Sequence, residues 1–100
     1  MVKHVVMWKF KNGTVDATKE ENLRKAKALL DSLPGMIAEI KSFEVGIDEL
    51  HSETSYDLVL NSTFESKDAM VAYQQHPEHV RVVGFLRTVH MGKVVVDYEL

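Results

Sequence analysis

A proline that interrupts a helical region at His76-Pro77 is the sequence feature that most constrains the fold of this chain. Ser66, which follows a strand-like segment, is a favourable N-cap for a short helix. Pro77 disfavours the α conformation at the preceding residue and has no N–H to donate, so this helix is expected to end at His76. Pro77 can then be the first residue of a second helix. The resulting bend holds Tyr73, His76 and His79 in one short segment.

A strict alternation of side chains between Val2 and Lys11 predicts the first strand. The opposite face is apolar only at its centre, where Val5 and Met7 lie between lysines. The strongly apolar face needs another element to cover it, and the helices can do so. That face carries one histidine among large apolar residues: Val2, His4, Val6, Trp8 and Phe10.

The remaining segments predict an order of strand, helix, two strands, helical region and strand. A capping box, with Thr18 as N-cap and Glu21 three residues later, begins the first helix. The predicted boundaries are a helix from Thr18 to Pro34-Gly35, strands over Ile40–Asp48 and Tyr56–Glu65, helices beginning at Ser66 and Pro77, a break at Met91-Gly92, and a last strand over Lys93–Leu100.

This order is typical of the ferredoxin-like βαββαβ fold, an α+β architecture with a four-stranded antiparallel sheet and its helices on one face. The face away from the helices presents Val5, Met7 and Val59 within a charged rim. An antiparallel sheet can expose such a face to water. A central aliphatic patch favours a homodimer in which two sheets pack together.

Composition narrows the classes of function. One hundred residues suffice for a single domain over residues 1–100. The absence of cysteine excludes disulfides, thiolate zinc sites and a cysteine nucleophile. A net charge of −3 argues against nucleic acid as a partner. No run is long enough to span a membrane and the first residues are strand-like, so we expect a cytoplasmic protein.

Four segments together resemble the stress-responsive α/β-barrel (Dabb) family, within the wider dimeric α+β barrel group. The most specific part is His4 combined with the His76-Pro77-Glu78-His79 step. The resemblance covers nearly the whole chain and implies a homodimer whose two sheets form a barrel. Most members of the family have no known activity. The segments are Val2–Lys11, Ser62–Ser66, Tyr73–Val80 and Val96–Tyr98.

One branch of that family contains a plant polyketide cyclase, which closes a ring by an aldol reaction in a cavity between sheet and helices. The resemblance implies that His79 is a general base and that Tyr73 stabilises a developing oxyanion. It also places His4 in the cavity. Leu58 stands where the cyclase has a further cavity histidine, which argues against the same substrate.

The predicted site is a small-molecule pocket for an apolar or polyketide-like ligand. Two classes of function remain open: a stress-related ligand-binding dimer without catalysis, and a cofactor-free cyclase or isomerase. A monooxygenase of the wider barrel group is a further alternative. The expected ligand-binding residues are His4, Val6, Trp8, Leu58 and Leu60, with Tyr73 and His79 as the catalytic pair.

Structural explanations apply to the same residues. His4 could be a core histidine bonded to a neighbour, and Tyr73 could serve only to pack under the sheet. No cofactor is predicted, because the chain has no Gly-rich phosphate loop. No metal is predicted either, because no carboxylate is clearly placed to join His76 and His79. His90, near a helix end, carries no predicted role.

Overall fold

The computed structural model describes all 100 residues and places three α-helices on one face of a four-stranded sheet. Neighbouring strands are antiparallel and run in the order β2-β3-β1-β4. These features confirm the predicted ferredoxin-like βαββαβ fold. The elements are β1 (Val2–Phe10), α1 (Lys19–Asp31), β2 (Ile40–Ile47), β3 (Leu58–Phe64), α2 (Lys67–Gln75), α3 (Pro77–Val89) and β4 (His90–Glu99), with a single 3-10 turn (Leu33–Gly35) after α1.

The predicted helix starts are made by their capping residues. The Thr18 hydroxyl accepts a hydrogen bond from the Glu21 N–H at 3.1 Å, and the Glu21 carboxylate accepts one from the Thr18 N–H at 2.9 Å. The Ser66 hydroxyl accepts one from the Ala69 N–H at 3.1 Å. Each bond satisfies an N–H that has no partner within the helix. Helix α1 ends at Asp31, a little before the predicted stop.

The bend at His76-Pro77 also forms as predicted. His76 has an extended backbone, with φ −63° and ψ 136°, and α3 begins at Pro77. The Nδ1 atom of His76 accepts a hydrogen bond from the Glu78 N–H at 3.1 Å. His76 is therefore the N-cap of α3, and one of its two ring nitrogens is already engaged.

The predicted break at Met91-Gly92 is wrong, because both residues lie inside β4. The strand follows α3 directly, and its first residue, His90, pairs with Phe10 of β1. Gly92 pairs with Lys9, and the register shifts between these two pairs. Pairing with β1 thus outweighs the local tendency of Gly92 to interrupt a strand.

We call the helix-covered side of the sheet the inner face and the other side the outer face. The even-numbered residues of β1 and β3 point to the inner face, and from Val2 to Phe10 every such residue of β1 is buried. His4 is 5% exposed, so the predicted orientation of this strand is confirmed. The core beneath the helices includes Trp8, Phe10, Leu58, Leu60 and Phe64.

The outer face is apolar at its centre and open. Cross-strand pairing places Val96 beside Val5, and both Val94 and Val59 beside Met7. Met7 is 42% exposed and Val96 is 61% exposed. The three residues that the sequence assigned to this face, Val5, Met7 and Val59, therefore belong to one contiguous patch. None of the helices has the length and apolar content that crossing a bilayer requires.

Candidate functional site

A cavity of about 500 Å³ lies between the inner face and the helices. This volume falls in the range of small-molecule sites in proteins. Ten of its sixteen lining residues are hydrophobic. The strands contribute His4, Val6, Trp8, Leu60, His90, Lys93 and Val95, and the helices contribute Leu30, Tyr73, Gln74, His79, Val80, Val82, Val83, Leu86 and Arg87.

The structure brings most of the sequence-predicted site residues together at this cavity. Tyr73 and His79 both line it, as do four of the five residues expected to bind a ligand: His4, Val6, Trp8 and Leu60. Leu58 is the exception. It is 2% exposed and packs in the core, outside the cavity lining.

His79 lies in the first turn of α3, positioned there by Pro77. Its Nδ1 is 3.0 Å from the Gln74 carbonyl oxygen, which can only accept. Nδ1 therefore carries the proton, and Nε2 is the basic nitrogen of the neutral ring. Burial lowers the pKa of His79, the Gln74 bond opposes that shift, and the charges of His4 and Lys93 add to the lowering. A neutral imidazole is the form that can accept a proton.

Tyr73, on α2, is fully buried beside His79, with their ring centroids 4.5 Å apart. Its ring centroid is also 6.3 Å from that of His4. Burial raises the pKa of the Tyr73 phenol well above its usual range, so the hydroxyl keeps its proton. That hydroxyl has no hydrogen-bond partner within the protein. A buried donor without a partner is costly, and Tyr73 is one of the residues that line the cavity.

His4 has a partner that sequence reasoning missed. Asp97 is its cross-strand neighbour on β4, and an Asp97 carboxylate oxygen contacts the Nδ1 atom of His4. Because a carboxylate can only accept, the proton lies on Nδ1, and Nε2 of His4 is not engaged by Asp97. Asp97 was visible in the sequence only as part of the Val96-Asp97-Tyr98 segment. Its pairing with His4 depends on the β1–β4 register.

Three basic residues of the cavity were also missed. Arg87 is in the last turn of α3, while His90 and Lys93 are on β4. The Nδ1 atom of His90 is buried without a hydrogen-bond partner. Burial lowers the pKa of His90, and the charges of Lys93, Lys11 and Arg87 lower it further. In the sequence, His90 and Lys93 lie on either side of Met91-Gly92. The break that we predicted there hid their place on one strand.

The arrangement combines apolar walls, the basic Nε2 atom of His79 and the phenol donor of Tyr73. Proton transfer and stabilisation of a developing oxyanion require these groups. No group of three or more His, Asp or Glu side chains is arranged to hold a metal ion.

A ferredoxin-like sheet with its helices on one face and a cavity of about 500 Å³ between the two layers defines a class of small α+β proteins. Within that class, the chain belongs to the family of the Stress responsive A/B Barrel Domain, Dabb, whose family model matches residues 2–100. The resemblance seen in the sequence is therefore confirmed.

Two relatives are similar along most of their length. The stress-response A/B barrel domain-containing protein HS1 of Arabidopsis thaliana is 37% identical over 106 residues, covering 98% of this chain and 88% of that protein. Olivetolic acid cyclase of Cannabis sativa is 30% identical over 99 residues, covering 97% of this chain and 94% of that protein.

A solved structure supports the fold. A dimeric protein of unknown function with a ferredoxin-like fold, from Bacteroides fragilis, superimposes with a TM-score of 0.89 at 31% identity. The match covers 99% of this chain and 95% of that one.

Proposed function

We propose that this protein is a homodimer that binds a small, largely apolar molecule carrying a carbonyl oxygen in the cavity between its sheet and its helices. The observation that carries this proposal is that Tyr73, one of the residues lining the cavity, has a buried hydroxyl without a hydrogen-bond partner. A ligand carbonyl oxygen satisfies that donor. The apolar walls, which include Val6, Trp8 and Leu60, bury the rest of the molecule.

A second candidate function, cofactor-free acid–base catalysis, is favoured by the position of His79. Its ring lies against that of Tyr73, and its Nδ1 is held by the Gln74 carbonyl, so Nε2 is the free base. A base and an oxyanion donor that act on one carbonyl compound are the two groups needed to form an enolate.

The proposed reaction begins when Nε2 of His79 removes a proton from the carbon beside the ligand carbonyl. The C–H electron pair forms the enolate C=C bond, and negative charge develops on the oxygen that Tyr73 hydrogen-bonds. Return of the proton to a different carbon completes an isomerisation. Attack of the enolate carbon on a second carbonyl of the same ligand forms a C–C bond, and the new alkoxide takes the proton from His79.

The resemblance to a plant cyclase does not fix the substrate. Leu58 replaces one implied cavity histidine, and it packs in the core rather than along the cavity. We therefore propose a different substrate from that of the cyclase. No residue of the cavity specifically favours a monooxygenase, and a stress-related role stays a prediction.

The proposed dimer packs two outer faces together. Val5, Met7 and Val59 lie at the centre of the patch, and the exposed Val94 and Val96 extend it. Exposed apolar patches of this kind mark interaction surfaces in soluble proteins. Light scattering of the wild-type protein at micromolar concentration tests this part, and a monomer there contradicts it.

Proton exchange into a simple ketone tests the site without knowledge of the natural substrate. The protein is mixed with 2-decanone in D2O, and NMR follows loss of the protons beside the carbonyl. Fluorescence of Trp8, the single tryptophan and a cavity residue, reports binding in parallel. Exchange faster than in buffer supports catalysis. A fluorescence change without exchange supports binding alone. The absence of both signals would contradict both binding and catalysis.

A further inference from the structure

One end of the cavity is positively charged, although the chain as a whole has 15 acidic and 12 basic residues. Arg87, His90 and Lys93 line the cavity, and no aspartate or glutamate does. Neither Arg87 nor Lys93 takes part in an ion pair within the protein. Two permanent cations therefore meet the cavity without a counter-charge.

The β1–β4 register separates this charged end from the Tyr73 end. Lys93 of β4 pairs with Trp8 of β1. His4, which is close to Tyr73, lies on β1 four residues before Trp8. At about 3.3 Å per residue, the two ends are roughly 13 Å apart. Val6 and Val95 are paired between them, so the middle of the cavity is apolar.

The cationic end also contains a polar atom that lacks a partner. The Nδ1 atom of His90 is buried and makes no hydrogen bond. Burial is the main cause that lowers the pKa of His90, and the charges of Lys93, Lys11 and Arg87 lower it further. Burial likewise lowers the pKa of His79, and the charge of Lys93 makes a smaller contribution in the same direction.

We infer that the ligand of this cavity is an amphipathic anion, with a carboxylate-type head at Arg87, His90 and Lys93 and an apolar body that extends along Val6 and Val95 toward Tyr73. This inference rests on the proposed function, because it assumes that the cavity binds a ligand. The inference adds two properties to that function: the negative charge of the ligand and its orientation within the cavity. Charge-assisted hydrogen bonds to the head fix which end of the molecule reaches His79.

Three ligands with the same chain and different heads test the inference: decanoate, 1-decanol and decylamine, each titrated against Trp8 fluorescence. Decanoate is expected to bind about tenfold more tightly than 1-decanol, a modest preference because Arg87 and Lys93 are both exposed to water. Decylamine is expected to bind most weakly. Raising the salt concentration should weaken only the binding of decanoate.

Variants locate the effect. The double variant Arg87→Gln/Lys93→Gln should lose the preference for decanoate, while Arg81→Gln, on the same helix but outside the cavity, should keep it. Charge reversal by Arg87→Glu/Lys93→Glu should reverse the order, so that decylamine binds more tightly than decanoate. Binding of decylamine by that variant also shows that its fold is intact.

Equal binding of decanoate and 1-decanol by the wild type, with a clear change in fluorescence, overturns the inference and leaves the proposed ligand cavity standing. A preference for decanoate that survives the Arg87→Gln/Lys93→Gln substitution overturns it as well. Failure of all three ligands to bind overturns the cavity proposal together with this inference.

Discussion

The inner and outer faces of the sheet arise from the same alternation of residues, yet they present different kinds of surface. The inner face encloses a cavity of about 500 Å³ in which a buried hydroxyl and a buried imidazole nitrogen lack partners. The outer face is an open patch of valines and Met7. An enclosed volume with a few polar groups suits a small molecule, whereas an open apolar patch suits a second protein surface. Apolar content alone therefore does not distinguish a surface that binds a small molecule from one that binds a protein.

The largest expected effect concerns His79 on the inner side. If His79 is the general base, His79→Gln should slow proton exchange into 2-decanone by about 10²–10⁴-fold. The amide has no nitrogen that can accept the proton, so ligand binding remains while exchange is lost. His51→Gln, which removes an exposed histidine from a loop, is the matched control and should exchange at the wild-type rate. Full activity of His79→Gln would remove the proposed base.

The next effect concerns Met7 on the outer face. A buried apolar side chain contributes roughly 1.5–3 kcal/mol, and a symmetric dimer buries Met7 twice. Met7→Lys also places two charges in the interface, so it should convert the dimer to a monomer at micromolar concentration. Light scattering measures this, with Met7→Leu as the apolar control. A Met7→Lys protein that stays dimeric shows that the outer face is not the interface.

A smaller effect separates folding from binding at Tyr73. Because its hydroxyl has no partner within the protein, Tyr73→Phe should leave the free energy of unfolding unchanged or raise it, by up to about 1 kcal/mol. Binding of 2-decanone should weaken by about 1 kcal/mol, the value of one neutral hydrogen bond. Urea unfolding and Trp8 fluorescence measure the two quantities. A clear loss of stability would mean that the hydroxyl serves the fold.

The smallest effect is the pH dependence of stability. Burial lowers the pKa of both His79 and His90, so the unfolded chain binds protons first as the pH falls. Stability contributed by the two neutral rings is present above the ordinary imidazole pKa of 6.5 and is lost as the pH falls through their lowered values. Unfolding from about pH 8 to about pH 5 should show this decline, flatter in His79→Gln and in His90→Gln. An unchanged slope in both variants contradicts the assignment.

The parts of the fold that could be predicted from the sequence are those set by local interactions. Thr18, Ser66 and Pro77 act within a few residues of themselves, and the helix starts that they predict are correct. The alternation of β1 predicted which side chains are buried. The start of β4 could not be predicted, because the pairing of His90 with Phe10 depends on residues about 80 positions apart.

The candidate site divides in the same way. Tyr73, His79 and His4 were identified through the resemblance to the family, and the structure places them around one cavity. Asp97 and Lys93 were missed because their positions beside His4 and Trp8 follow from the strand register. Leu58 was included at the position where the resemblance implies a further cavity histidine, on the strand face it shares with Leu60, but the cavity does not extend to it. Alternation identifies a face and cannot set the limits of a cavity on that face.

The position of β1 as the wall between the two faces has an evolutionary consequence. Along its nine residues, side chains that face the cavity alternate with side chains that face outward. In the proposed dimer, substitutions at even-numbered positions would therefore alter the ligand while assembly is kept, and substitutions at odd-numbered positions would do the reverse. Insertion or deletion of one residue would exchange the two sets at once. Under the proposed function, both roles together would constrain the length of β1 more than its individual side chains.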